Sequence, residues 1–247
     1  MDVSRETPPV PEAARGVFPS DRLPLAERYA DLLATEGVVR GLIGPREAPR
    51  LWDRHLLNCA VLAEAVPEAV TVGDLGSGAG LPGLVLAIAR PDVRVTLVEP
   101  LLRRTTFLEE VVAELGLGVE VVRARAEDLH GSRTFDVVTS RAVAPLDRLL
   151  GWSMPLVAPT GALVAMKGSS APDEVAAAEP VLARWRCTPA EVWSVGEGRI
   201  PSPTTLVRVS WADPTAVGWP LPTRASGKSG RAARRRRRRP DPGGERS

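Results

Sequence analysis

Apolar residues along the chain follow two different periods, and the change between them divides the chain. Over residues 23–36 the apolar positions recur every three or four residues, which predicts a helix. The same spacing over residues 51–66 predicts a second helix, which Pro67 ends. From residue 69 to residue 211, short apolar runs alternate with helical stretches. The pattern predicts an N-terminal helical segment followed by an α/β domain.

The alternating part contains seven predicted strands, and the connections between them differ. Helical stretches separate the first five strands and precede the sixth, whereas the last two have no helix between them. Strands joined by helices form parallel sheets covered on both faces, and directly linked strands pair antiparallel. We therefore predict a doubly wound, mainly parallel, seven-stranded Rossmann-like sheet with an antiparallel terminal hairpin. The predicted strands cover residues 69–74, 94–99, 119–123, 135–140, 162–167, 190–195 and 205–211.

Both ends of the chain differ from this body in composition. Residues 1–20 hold four prolines and little apolar periodicity, which predicts a disordered lead-in before a helical extension over residues 21–67. The α/β domain takes residues 68–212, and residues 213–247 are predicted to form a disordered basic tail. From Arg224 onward ten Lys or Arg face two acids, so this part carries +8 and leaves the rest at −6.

The overall composition restricts the class of protein. With 247 residues, 44% of them hydrophobic, the chain is large enough for one substantial core. No apolar run approaches the roughly 18 residues of a membrane span, and no signal peptide pattern begins the chain. Cys59 and Cys187 lack the spacing of a metal site or a disulfide framework. We predict a cytoplasmic protein without membrane association or a metal site.

A glycine-rich stretch over residues 72–83 joins the first predicted strand to the next helix. Strand, glycine loop and helix together bring backbone N–H groups and a helix N-terminus up to a ligand. The loop alone is also compatible with a plain glycine-rich turn. Its Gly78–Gly83 part matches the dinucleotide fingerprint, so a nicotinamide-dependent oxidoreductase is an alternative.

Polar residues stand where the predicted strands end, which is where ligands bind in such sheets. Asp74 precedes the loop and is expected to hold its backbone or to meet a cationic ligand. Glu99 ends the second strand, at a spacing that suits a carboxylate bound to two ribose hydroxyls. The alternative for Glu99 is a helix cap. Residues 126–128 and Ser140-Arg141 end the third and fourth strands.

Several motifs give the chain a family resemblance over about residues 20–212. The stretch from Asp74 to Gly80 with Glu99 resembles the class I S-adenosylmethionine-dependent methyltransferases. More narrowly, Gly76-Ser-Gly-Ala-Gly-Leu-Pro-Gly, Ser140-Arg-Ala-Val and Ala165-Met-Lys-Gly resemble the bacterial 16S rRNA methyltransferase family once called glucose-inhibited division protein B. Arg54-His-Leu-Leu-Asn resembles that family's Arg-His-Ile-Leu-Asp segment.

The resemblance implies a cofactor, a reaction and a partner. The cofactor is S-adenosylmethionine, and the reaction is methylation of N7 of guanine 527 in 16S rRNA, by a monomer acting on that RNA or on the small ribosomal subunit. The expected cofactor-binding residues are Asp74, Gly76, Gly78, Leu81, Glu99, Ala126, Glu127 and Arg141.

The sequence also indicates which reactions the site does not favour. Methylation of an exocyclic amine usually involves an Asn/Asp-Pro-Pro-aromatic group after the fourth strand, where this chain has Ser140-Arg141-Ala142. Methylation of pyrimidine C5 requires a cysteine nucleophile, and neither cysteine is predicted near the sheet ends. Guanine N7 carries no proton and requires no general base. Arg141 is the one candidate for a catalytic residue. The alternative is that Arg141 only forms a surface salt bridge with Asp136 or Asp147.

Three further residues are candidates for contact with RNA: Arg54, His55 and Lys167. The alternatives are a packed, hydrogen-bonded histidine and a solvated lysine. The basic tail is expected to add RNA affinity without specificity, or to be a tolerated extension. A non-catalytic RNA-binding module with a vestigial cofactor site is the remaining alternative function.

Overall fold

One seven-stranded sheet organises the protein, for which a computed structural model describes residues 9–217. The strands are β1 (Thr71–Leu75), β2 (Arg94–Val98), β3 (Glu120–Val122), β4 (Phe135–Arg141), β5 (Val157–Lys167), β6 (Glu191–Val195) and β7 (Thr204–Ser210). Their order in the sheet is β3-β2-β1-β4-β5-β7-β6, and β1 to β5 run parallel to one another. The last strand, β7, lies between β5 and β6 and is antiparallel to both. This confirms the predicted mainly parallel sheet and its terminal hairpin.

Helices cover the sheet in two separate apolar clusters. One cluster joins the N-terminal helices, α4 and α5 to the sheet. The other joins α6 and α7 to it. Both faces of the sheet are thus buried, as its apolar strands require. The helices are α1 (Glu12–Val17), α2 (Leu23–Leu32), α3 (Leu57–Ala60), α4 (Gly83–Ala89), α5 (Leu102–Leu115), α6 (Leu146–Ser153) and α7 (Ala171–Trp185).

The two predicted N-terminal helices are each divided into segments. The helix α2 continues as a wider π turn over Leu33–Gly37. The second predicted helix begins as a π turn over Leu51–Leu56, becomes α3 and ends as a 3-10 turn over Val61–Ala65. Such wide turns are frequent at functional sites.

The predicted disordered lead-in is wrong for its described part. Residues 12–17 form α1, in which Ala14 is fully buried. Phe18 follows it and packs edge-on against Trp52, with 6.4 Å between the ring centroids. The first residues of the predicted tail also have structure, since Asp213 caps a 3-10 turn over Pro214–Ala216. Residues 1–8 and 218–247, including the arginine run, lie outside the described residues.

No helix in the described part of the chain is both long and apolar enough to span a membrane.

One buried hydrogen bond connects the N-terminal helices to the glycine loop. Tyr29 on α2 is fully buried, and its hydroxyl donates to the Ala79 carbonyl at 2.6 Å. A buried carbonyl that loses its donor has no water to replace it. The N-terminal segment therefore supports the loop from outside the sheet.

The Tyr29→Phe variant should be less stable than the parent by about 1–3 kcal/mol, because the Ala79 carbonyl loses a buried donor. Urea unfolding measures this difference. Thr35→Ala is the control, since its exposed hydroxyl bonds a carbonyl on its own helix and should change stability by less than about 0.5 kcal/mol. Equal stability of Tyr29→Phe and the parent would contradict the proposed support.

Candidate functional site

The loop between β1 and α4 is shaped by glycines and held by the core. Gly76, Gly78 and Gly80 have φ angles of 68°, 59° and 98°, in the left-handed region. A Cβ atom on Gly80 would also lie 2.8 Å from the Tyr29 hydroxyl. The loop therefore depends on glycine for its conformation and for its close contact with α2.

Asp74 lies beneath this loop and is fully buried. Its Oδ2 accepts a hydrogen bond from the Gly83 N–H at 2.9 Å, and Oδ1 has no partner among the described residues. Burial raises the pKa of the Asp74 carboxyl to about 7. Asp74 does not line the neighbouring cavity. The structure thus supports the first of its two expected roles, which is to hold the loop backbone.

A cavity of about 690 Å³ opens at the carboxyl ends of the strands, beside the loop. The 3-10 turn over Ala126–Leu129, which follows β3, forms part of its wall. Every residue expected to bind the cofactor, Asp74 excepted, lines this cavity. These residues are Gly76, Gly78, Leu81, Glu99, Ala126, Glu127 and Arg141.

Glu99 connects the loop to the start of α5 while it lines the cavity. Its side chain is 1% exposed. One carboxylate oxygen accepts from the Gly78 N–H at 3.0 Å, and the other accepts from the Leu101 N–H at 3.0 Å. Oε1 keeps a further lone pair that is able to accept from a ligand hydroxyl, whereas both lone pairs of Oε2 face N–H donors. The expected capping and ligand-binding roles are therefore compatible. Arg104, 3.4 Å from the same carboxylate, was not predicted.

Arg141 stands at the end of β4 and is surrounded by uncharged partners. Its guanidinium lies 2.6 Å from His55 Nδ1, donates to the Arg54 carbonyl at 3.1 Å and lies 3.2 Å from Cys59 Sγ. In the described part of the chain, Arg141 forms no salt bridge with Asp136 or Asp147. Its charge is thus available to an anionic group in the cavity.

His55 links Arg141 to Glu47, a residue that sequence reasoning missed. His55 Nε2 lies 3.2 Å from Glu47 Oε2. Burial, and then the charge of Arg141, lower the pKa of His55 to about 4. The imidazole is neutral near pH 7, so Nδ1 accepts from Arg141 and Nε2–H donates to Glu47. His55 is thus packed and hydrogen-bonded, which was one of its two expected roles. It also lines the cavity.

The other two candidate RNA contacts differ from each other. Arg54 is 50% exposed and pairs with Glu47 at 3.2 Å. The Lys167 side chain is only 8% exposed, and its Nζ lies 2.7 Å from both Glu174 Oε2 and the Ala144 carbonyl. The alternative of a solvated lysine is therefore wrong.

Cys59 lies closer to the site than its predicted place outside the sheet suggested. It contacts Arg141 but is fully buried and does not line this cavity. Burial raises the pKa of the Cys59 thiol, so the reactive thiolate is disfavoured. No group of three or more potential metal ligands occurs within residues 9–217.

Comparison with known proteins decides the family. The model of the family described as rRNA small subunit methyltransferase G, or GidB, matches residues 22–199. The chain belongs to this family. A protein named ribosomal RNA small subunit methyltransferase G from Nocardioides sp. is 71% identical over 238 residues, covering 95% of each chain. Its namesake from Streptomyces coelicolor is 54% identical over 239 residues, covering 96% of this chain and all of the relative.

Membership of the methyltransferase G family confirms the predicted cofactor, S-adenosylmethionine. A SAM-dependent O-methyltransferase from Thermotoga maritima shares the fold, with a TM-score of 0.52, 16% identity and coverage of 74% of this chain and 71% of that one. The cavity volume lies within the roughly 300–1,000 Å³ usual for such ligands. A buried carboxylate and an uncompensated guanidinium suit the hydroxyl and carboxylate groups of this cofactor.

The Asp74→Asn variant should gain stability relative to the parent as the pH rises from 5 to 8. In the folded parent the pKa of Asp74 is raised from 3.8 to about 7. Proton binding by Asp74 therefore stabilises the folded parent fully below pH 4, and this stabilisation is lost as the pH rises through 7. The amide keeps an acceptor for Gly83 and carries no buried charge. Urea unfolding at the two pH values measures the change.

Asp136→Asn is the matched control for this prediction. Hydrogen bonds from Thr71 lower the pKa of Asp136 in the folded protein. The ionised Asp136 carboxylate therefore stabilises the fold fully at every pH above the ordinary aspartate pKa near 4. The control should therefore lose the same stability at pH 5 and pH 8. A difference between Asp74→Asn and the parent that does not change with pH would contradict the buried, raised-pKa carboxyl.

Proposed function

We propose that this protein transfers a methyl group from S-adenosylmethionine to N7 of a guanine in 16S rRNA, by resemblance guanine 527. The two relatives described above carry names that specify small-subunit ribosomal RNA. The reaction is assigned to the cytoplasm and to a monomer acting on the RNA or on the small subunit.

The observation that supports N7 as the target atom is the environment of Arg141. A fixed cation with neutral partners follows β4, in place of the Asn/Asp-Pro-Pro-aromatic group associated with exocyclic amines. Guanine N7 has an in-plane lone pair and no proton, so its methylation requires orientation and electrostatic support rather than proton removal. The buried Cys59 thiol likewise does not favour attack on a pyrimidine.

Five residues that line the cavity have a role in this proposal. When bound, S-adenosylmethionine supplies an electrophilic methyl group on a positively charged sulfur. Glu99 accepts hydrogen bonds from the ribose hydroxyls, and the loop of Gly76 and Gly78 provides close backbone contact. Arg141 binds the methionine carboxylate or orients the target base, held in place by neutral His55.

Mass mapping of the modified nucleoside tests the reaction directly. Small-subunit RNA from cells with and without the gene should differ by one 7-methylguanosine. The purified protein should restore that group on the unmodified RNA with labelled cofactor. A methyl group on another atom would overturn the N7 assignment. Absence of label transfer at saturating cofactor would favour a non-catalytic RNA-binding module.

The Glu99→Ala variant should bind S-adenosylhomocysteine about 10- to 100-fold more weakly, because two ribose hydroxyls lose a charged acceptor. Isothermal titration calorimetry measures the affinity, and circular dichroism verifies that the variant is folded. Glu109→Ala, an exposed glutamate on α5, is the control and should bind like the parent. Unchanged affinity in folded Glu99→Ala would remove Glu99 from the site. Tight NAD(P) binding by the parent, without binding of S-adenosylhomocysteine, would favour the oxidoreductase.

A further inference from the structure

Glu47 lies outside the cofactor cavity but contacts a side chain that lines it. Its Oε2 is 3.2 Å from His55 Nε2, and His55 Nδ1 is 2.6 Å from the Arg141 guanidinium. His55 and Arg141 both line the cavity, whereas Glu47 does not. A carboxylate, an imidazole and a guanidinium thus form a chain of hydrogen bonds that ends at the cavity wall. An effect of Glu47 on a ligand in the cavity would pass through this chain.

Only one placement of the imidazole proton satisfies both contacts of His55. An arginine side chain has N–H donors and no acceptor, so Nδ1 must accept from Arg141. The neutral ring then carries its proton on Nε2 and donates it to Glu47. The hydrogen bond made by one ring nitrogen determines whether the other is protonated. Glu47 therefore favours the tautomer in which Nδ1 is an acceptor, since the other tautomer would place an N–H against the guanidinium.

His55 differs from the other partners of Arg141 in the described part of the chain. The Arg54 carbonyl, 3.1 Å from the guanidinium, belongs to the backbone, and the Cys59 thiol at 3.2 Å is fully buried. The imidazole is 14% exposed and turns about its side-chain bonds. Half a turn of the ring would replace both of its nitrogen contacts by C–H groups. A fixed imidazole therefore helps to determine where the planar fork of Arg141 donors points.

The position of Glu47 is itself well defined. Its N–H donates to the Gly44 carbonyl at 2.8 Å, and its carbonyl accepts from the Arg50 N–H at 2.9 Å. The Arg54 guanidinium also donates to the carboxylate, at 3.2 Å. A carboxylate with an anchored backbone and a second donor is suited to hold a neighbouring ring in one orientation.

Glu47 also has a simpler interpretation, as one half of a surface ion pair with Arg54. The two side chains are 32% and 50% exposed, and exposed pairs of this kind contribute little to stability. This interpretation gives the contact with His55 no consequence. It predicts that loss of Glu47 changes neither the Arg141 contacts nor the reaction, so the two interpretations are separable by experiment.

We propose that Glu47 is a positioning residue, which fixes the His55 ring and thereby holds the Arg141 guanidinium in the wall of the cofactor cavity. This inference rests on the proposed function, which gives Arg141 its role toward the methionine carboxylate or the target base. The neutral imidazole separates the carboxylate from the guanidinium, and attraction between charges weakens with distance. Arg141 is therefore held in place while its charge stays available to a ligand, which a direct salt bridge with Glu47 would not achieve.

Kinetics of Glu47→Leu and Glu47→Gln test this assignment. Leucine removes the acceptor, whereas glutamine keeps a carbonyl that accepts from Nε2–H. We expect kcat/KM for methyl transfer to fall about tenfold in Glu47→Leu and to stay within about threefold in Glu47→Gln. Equal rates of Glu47→Leu and the parent would overturn the proposal, as would a Glu47→Gln variant as slow as Glu47→Leu.

Glu64→Leu is the matched control for these variants. The Glu64 side chain is 34% exposed, pairs with Arg199 at 2.9 Å and does not line the cavity. It is thus a glutamate of the same exposure in an ion pair of the same kind, without a connection to Arg141. The control should retain the parent's kcat/KM.

A double-mutant cycle with Arg141→Ala tests whether Glu47 acts through the guanidinium. Arg141→Ala should change either KM for the cofactor or kcat, and Glu47→Leu should change the same parameter in the same direction by a smaller factor. In the Arg141→Ala background, Glu47→Leu should have almost no further effect. Effects that multiply independently would overturn the proposal, because a merely structural Glu47 would act in both backgrounds.

NMR of the imidazole nitrogens measures the contact without any reaction. The chain has two histidines, so a His130→Gln variant identifies the signals of His55. The parent should show His55 with its proton on Nε2 alone, and Glu47→Leu should show a mixture of both tautomers. His130 Nε2 lies 3.0 Å from the Trp152 carbonyl, so its signals are the internal reference and should not change. Unchanged His55 signals in Glu47→Leu would contradict the proposal.

Failure of this inference and failure of the proposed function give different results. If the protein does not methylate guanine N7, the parent itself places no label there, while the NMR signals still report whether Glu47 fixes the His55 ring. If only the assignment of Glu47 is wrong, the parent produces 7-methylguanosine and Glu47→Leu keeps the parent's rate and His55 signals.

Discussion

The hydrogen bond from the Gly83 N–H to the buried Asp74 carboxyl is the contact on which the site depends. It joins the end of β1 to the start of α4 and so determines where the glycine loop turns. Two further contacts hold the same loop from elsewhere in the chain: Tyr29 bonds Ala79, and Glu99 bonds Gly78. A loop fixed at three points by the core, the N-terminal helices and β2 presents its backbone to the cofactor in a defined conformation. This is the arrangement that preorganised sites require.

A second constraint is that some charged side chains near the cavity have no partner of opposite charge among the described residues. Asp74 is buried without a cationic partner among the described residues, and Arg141 is surrounded by a neutral imidazole, a carbonyl and a thiol. By contrast, Lys167 and Glu174 form a closed pair in a second cavity of about 610 Å³, which shares Arg141 and Ala142 with the first. Buried charges are usually paired, so an unpaired guanidinium at a cavity wall indicates an anionic ligand group.

The sheet, the glycine loop and the acids at the strand ends were predicted from the sequence because each is encoded locally. Alternating periods determine strands and helices, and a glycine run between a strand and a helix has few structural interpretations. The Arg141 contacts with His55 and Cys59 join residues 86 and 82 positions apart, and no period in the sequence reports such pairs. The burial of Ala14 and Phe18 was missed for a different reason, because a helix of six residues shows too little periodicity to distinguish it from a disordered lead-in.

The position of Arg141 in the wall of both cavities has a thermodynamic consequence. Any ligand that shifts or fixes this guanidinium in one cavity changes the shape and potential of the other. Occupancy of the two cavities is then linked, and the linkage is reciprocal: the factor by which one ligand alters the affinity of the second equals the factor by which the second alters the first. A single side chain at the end of β4 thus connects ligand binding in one cavity to ligand binding in the other without any movement of the sheet.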